Sequence, residues 1–128
     1  MSGTFLKSSF NQVINNWNVS NALTMFGMLQ NTPINQDISM WDVSNSIAMG
    51  RMFQGARTFN QDISSWNVSK VFDLGYMFLN ASSFNQDINE WDVSNVEFMA
   101  GTFWGATAFN QPLNNWDVSK VDNMSYLF

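Results

Sequence analysis

Neither cysteine nor histidine occurs anywhere in the 128 residues. Their absence removes thiolate chemistry, Cys/His metal sites, Ser-His-Asp triads and imidazole acid–base work. It fixes no compartment, because a stacked array with a continuous core needs no disulfide staples. Charge is scarce as well: five basic and ten acidic residues give a net charge of −5 and only 12% charged positions. Five scattered cations cannot track a phosphate backbone, so nucleic acid is not an expected partner. Long apolar runs are missing, and no segment is long enough to cross a bilayer. Met1–Phe10 has no leader-like stretch, so either the chain does not take the secretory route or a leader lies outside it. Proline is limited to Pro33 and Pro112, both at positions that read as bends.

Apolar and aromatic residues are plentiful, at 45% and 16%. That is enough to build the core of one domain and argues against disorder. Their placement is periodic. Trp17, Trp41, Trp66, Trp91 and Trp116 follow one another at steps of 24, 25, 25 and 25 residues. Seven residues before each stands Phe10, Ile34, Phe59, Phe84 or Phe109, followed each time by Asn-Gln. Eight residues after each stands Met25, Met49, Leu74, Met99 or Met124. Residues 1–128 read as a single tandem array of five units and the start of a sixth, and such a period indicates a solenoid. The first two units are one residue shorter, in the bends Leu6–Ser9 and Gln30–Pro33, where a deletion is cheapest on a surface loop.

Within a unit the apolar spacing changes. Met49, Met52, Phe53 and Ala56 follow i, i+3, i+4, i+7, which predicts a short helix held by packing against its neighbours. Recurrent glycines near it favour a partly 3₁₀ form. Trp-Asn/Asp-Val alternates and is rich in aromatic and β-branched residues, which predicts a short strand. Ile lies three residues before the Trp, out of alternation, so a bulge or turn is expected between them. The fold class expected is therefore an α/β repeat solenoid, with one short helix and one short parallel strand per unit of 24–25 residues. Strands stacked at about 4.8 Å would give five coils a rise of about 25 Å.

Several polar columns repeat with the unit. Asn11, Asn35, Asn60, Asn85 and Asn110, each followed by Gln, can donate and accept along the stack. The structural reading of these amides is preferred to a binding strip. Asp42, Asp92 and Asp117 share a column with Asn18 and Asn67, and stacked carboxylates invite Ca²⁺. The alternating Asn dilutes their repulsion without metal, and an Asx side chain can cap the following bend, so these three are weak Ca²⁺ candidates and no cofactor is expected. Asp62 and Asp87 could suggest a hydrolase, yet each unit carries nearly the same residues and no singular pair of acids. No catalytic residue is assigned. The Trp column reads as core, whereas Trp104 stands outside it as a candidate exposed aromatic.

The run Phe-Asn-Gln-Asp-Ile-Ser-x-Trp-Asn/Asp-Val-Ser-Asn/Lys-Val and the tail Met-x-x-Met-Phe-x-x-Ala resemble the unit of BspA-like leucine-rich-repeat surface proteins. The resemblance covers essentially the whole chain. It implies a leucine-rich-repeat-like coil in a non-enzymatic module, displayed at a cell surface, extracellularly or on a virion, in adhesion or host contact. Core-column residues stand at both ends, with Met1 and Phe5 at one and Tyr126, Leu127 and Phe128 at the other. Caps with polar outer faces are the rule for solenoids. Either the array continues, or copies dock head to tail through these five residues into a filament. Expected partners are other copies of the chain or host surface proteins; the competing reading is a module that binds Ca²⁺ or glycans.

Overall fold

The computed structural model describes residues 9–128. Successive units lie as coils on one another, and equivalent positions 24 or 25 residues apart are hydrogen-bonded. Among the described residues there is no helix, and parallel pairing is confined to isolated bridges linking Thr24, Ala48, Asp73, Phe98 and Asn123 in series. The expected α/β solenoid, with a helix and a strand per unit, is therefore incorrect.

The reason lies in how turns mimic helical spacing. Met52 N donates to Met49 O at 3.1 Å, and Ala56 N donates to Phe53 O at 3.0 Å. The third residue of each four is left-handed: Arg51 at φ 59° and Gly55 at φ 68°. A 1→4 bond with positive φ at the third position defines a type II turn. Two such turns in tandem place their first and fourth residues inward, which again gives i, i+3, i+4, i+7. Met49, Met52, Phe53 and Ala56 are all fully buried. Apolar periodicity alone cannot separate the two conformations.

Backbone satisfaction does separate them. In a helix every N–H turns back to i−4. Here the N–H groups of Met49, Arg51, Phe53 and Gly55 donate instead to the carbonyls of Asp73, Gly75, Met77 and Leu79 in the next coil, at 3.0, 2.9, 2.9 and 2.7 Å. Leu74, Tyr76, Phe78 and Asn80 do the same toward Phe98, Ala100, Thr102 and Trp104. Alternate amides thus join coils while the intervening ones close turns.

The Trp-Asx-Val segment fails as a strand because its backbone bonds are local. Trp66 N closes a turn on Ile63 O, and Val71 N closes one on Val68 O. The turn anticipated between Ile and Trp is present, and it leaves no ladder beside it. Across coils this side is joined by side chains: the indole Nε1–H groups of Trp41, Trp66, Trp91 and Trp116 donate to the carbonyls of Ile14, Ile38, Ile63 and Ile88 at 3.0–3.1 Å.

The interior is filled by aromatic columns. Phe53, Phe78, Phe103 and Phe128 stack at centroid spacings of 5.6, 5.7 and 5.7 Å. Phe59, Phe84 and Phe109 form a second column at 6.0 and 5.9 Å. The two touch within each coil, for example Phe78 on Phe84 at 4.0 Å. Offset stacking of this kind adds about 0.5–1.5 kcal/mol per pair beyond burial.

Asn31, Gly55, Asn80 and Gly105 form one of two left-handed columns. A Cβ on Gly55 would collide with Asn31 Oδ1 from the coil before. Gly55→Ala therefore meets strain and a clash together, and should destabilise the chain by about 2–3 kcal/mol in urea unfolding followed by tryptophan fluorescence. Phe78→Ala, which opens both aromatic columns, should cost about 3–5 kcal/mol by the same measurement.

Candidate functional site

The amide column runs along the outside of the stack as a relay. Asn35 Oδ1 accepts the backbone N–H of Asn60 at 3.0 Å and the side-chain amide of Gln61 at 3.0 Å. Asn60 does the same for Asn85 and Gln86, and Asn85 for Asn110 and Gln111. At Asn11 the pattern differs, since Gln36 Nε2 donates to the carbonyls of Asn11 and Gln12 while its Oε1 accepts from Ile14 N. The shorter bend at Gln30–Pro33 lies just before that irregular step. The side-chain amides of Asn35, Asn60 and Asn85 and of Gln36, Gln61, Gln86 and Gln111 thus join each coil to its neighbour.

The Asp/Asn column is engaged differently. Asp42 Oδ1 accepts both the backbone N–H and the hydroxyl of Ser44, at 3.1 and 2.6 Å. Asn18, Asn67 and Asp92 form the same cap with Ser20, Ser69 and Ser94. Asp117 Oδ1 accepts the backbone N–H of Ser119. Asp42, Asp92 and Asp117 are exposed, and no group of three or more acidic side chains that could hold a metal occurs among the described residues.

Trp41, Trp66 and Trp91 are buried, and Trp17 and Trp116 pack against the core at either end. Trp104 is 49% exposed and stacks on Tyr126 at 5.2 Å. Tyr126 and Phe128 are exposed on the last coil while Leu127 packs inward. Met1 and Phe5 lie outside the described residues.

One region departs from the repeat, in a groove of about 400 Å³ near the middle of the stack. Arg51, Asp73, Tyr76, Phe26, Phe72 and Phe98 line it. The Arg51 guanidinium carbon lies 5.8 Å from the Phe26 ring and 5.3 Å from the Tyr76 ring. Asp73 Oδ1 accepts Gly75 N–H at 2.8 Å. Phe72 and Phe98 meet edge to face at 6.4 Å, both partly exposed.

A family model described as "Mycoplasma protein of unknown function, DUF285" matches residues 1–74 and residues 30–128, which together span the chain. The chain belongs to DUF285. No curated protein and no solved structure matches it.

At the groove this DUF285 chain departs from its columns in charge and size together. Asp73 occupies the column of Thr24, Ala48, Phe98 and Asn123, where it is the one carboxylate. Arg51 and Tyr76 occupy the left-handed column that Gly27 and Gly101 also fill. Those departures are the signal of the groove that the sequence carries.

The acids separate into two electrostatic classes. Hydrogen bonds from the Ser side chain and backbone hold Asp37, Asp42, Asp62, Asp92 and Asp117 below the usual carboxylate value. Burial pushes Asp73 up, opposed by the Gly75 N–H and the Arg51 charge. A depressed folded value stabilises above the unfolded pKa and is lost on acidification; a raised one acts with the opposite sign. Five groups against one set the net direction. The urea midpoint should fall as pH drops below 3.8, the unperturbed aspartate value, and Asp73→Asn should raise the midpoint at neutral pH. A midpoint that rises on acidification through that range would contradict the Asx caps.

Proposed function

We propose that this DUF285 chain is a non-enzymatic structural and interaction module of a surface-displayed repeat protein, serving as adhesin, spacer or fibre. The observation that carries the reading is the use of the polar columns. The Asn-Gln relay joins coil to coil and the Asx-Ser pairs cap bends, so the regular surface is occupied in maintaining a rod of repeating units. Among the lining residues of the central groove Asp73 is the one carboxylate, so the groove holds no pair of carboxylates to divide acid and base roles. The resemblance to BspA-like surface repeats supports display and contact with proteins, and no helix among the described residues is long and apolar enough to cross a membrane.

The repeat itself supports the fibre form of this reading, because the Phe column and the alternate N–H pairing run from coil to coil. A second copy offering the same unit would continue the Phe column and the alternate N–H pairing, a head-to-tail contact that propagates if its rotation does not close.

Two experiments test these statements. Antibodies against the chain should label intact cells or virions of its source, and labelling only after permeabilisation would overturn surface display. Negative-stain microscopy over a concentration series should show rods that lengthen with concentration. Discrete particles of constant size would remove the fibre form and leave the adhesin or spacer.

A further inference from the structure

The central groove is the place where the chain gives up stability that its own repeat shows how to keep. Arg51 and Tyr76 hold φ of 59° and 58°, in a column where Gly27 and Gly101 adopt the same conformation freely. A bulky residue there is strained by about 1–2 kcal/mol. Asp73 is a half-buried carboxylate in a column where Thr24 and Ala48 suffice. Left-handed non-glycine residues also occur outside the groove, at Asn31, Asn80 and Tyr126. What sets this spot apart is that two such residues meet a half-buried carboxylate, and that coincidence points toward a ligand.

The chemistry of the spot limits which ligand. Asp73 Oδ1 is engaged by Gly75 N–H, which leaves Oδ2 as an acceptor at the groove. The Arg51 fork lies over two rings and is exposed, with donors available beside that acceptor. Phe72 and Phe98 are 37% and 46% exposed. A donor fork, an acceptor and partly exposed aromatic rings together match a group with adjacent hydroxyls on one edge and C–H bonds on a face. The opposite charges of Arg51 and Asp73 cancel, so they attract no net charge. In a site this open, ion pairs with a zwitterionic peptide would each be worth little, whereas stacking on rings persists in water.

We propose that this groove binds a neutral pyranose residue of a glycan. Asp73 accepts from one sugar hydroxyl, Arg51 donates to its neighbour, and the apolar face of the ring lies on the Phe72–Phe98 pair. The site is independent of where the chain is displayed. A single sugar on so small a surface should bind weakly, with Kd on the order of 1 mM.

The test uses the full chain, titrated by ¹H–¹⁵N NMR with methyl glycosides of glucose, galactose, mannose and N-acetylglucosamine, and with glycyl-tyrosine as the zwitterionic control. At least one glycoside should move the amides of Arg51, Gly75, Tyr76 and Phe98 saturably. Three substitutions return the groove to residues the repeat already uses: Arg51→Gly, Asp73→Ala and Tyr76→Gly. Arg51→Gly and Asp73→Ala should each weaken binding about tenfold or more, the loss of one good polar contact. Tyr76→Gly, which removes a ring that Arg51 lies over, should weaken it in the same direction, while the urea midpoint of all three stays level or rises. Fold loss therefore cannot mimic the result. The proposal is overturned if no glycoside shifts these amides at about 50 mM, well above that millimolar scale. It is also overturned if glycyl-tyrosine binds in their place, or if the three variants bind as the parent does.

Discussion

Alternate backbone N–H groups of each coil donate to the coil beside it, and the rest of the structure depends on that division. Once Met49, Arg51, Phe53 and Gly55 donate across to Asp73, Gly75, Met77 and Leu79, those N–H groups cannot serve a helix. The intervening groups close four-residue turns, and turns of this kind need a left-handed third residue. Two left-handed columns follow, one through Gly27, Arg51, Tyr76, Gly101 and Tyr126 and the other through Asn31, Gly55, Asn80 and Gly105. Burial then fixes the corners, with first and fourth residues inward. Met, Phe and Ala fill the corners, and the Phe rings stack from coil to coil. A coil without neighbours would lose both its ladder partners and its ring contacts, so stability belongs to the array and not to the unit.

The opposite side of the coil meets the same demand with side chains. There the backbone closes local turns, and the Trp indoles, the Asn-Gln relay and the Asx-Ser caps satisfy what remains. Polar groups on this surface are consequently occupied, which is why columns that resemble ligand ladders read as scaffolding. Function has to be sought where the pattern breaks. The groove between Arg51, Asp73 and Tyr76 combines bulky residues at left-handed positions that Gly27 and Gly101 fill elsewhere, a partly desolvated carboxylate and exposed rings.

Much of this was legible in the sequence. The 24–25-residue spacing of the Trp residues identifies the array, and the Met49, Met52, Phe53, Ala56 set identifies which side chains face inward. Conformation was not legible from that set, because a 3.6-residue period and tandem four-residue turns place apolar residues alike. The deciding clue was a finer one. Gly27, Gly55, Gly101 and Gly105 stand at the third turn position, where a left-handed residue is needed, and a helix has no use for glycine there. Trp41-Asp42-Val43 misled in another way: β propensity scores fit to a half-buried surface, and the Asp42–Ser44 cap consumes locally the backbone a strand would share. The groove lay in positions such as Asp73, which differ from their column and therefore drop out of any consensus.

Through-space amide contacts measured by NMR on the isotope-labelled chain test the stacked-turn arrangement most directly. Tandem turns joined across coils predict cross-coil contacts linking Met49 with Asp73, Arg51 with Gly75 and Phe53 with Met77, together with slow amide exchange at Met49, Arg51, Phe53 and Gly55. Unbroken sequential amide contacts through Met49–Ala56, with i to i+4 connectivities and no cross-coil partners, would show a helix in each unit and contradict it.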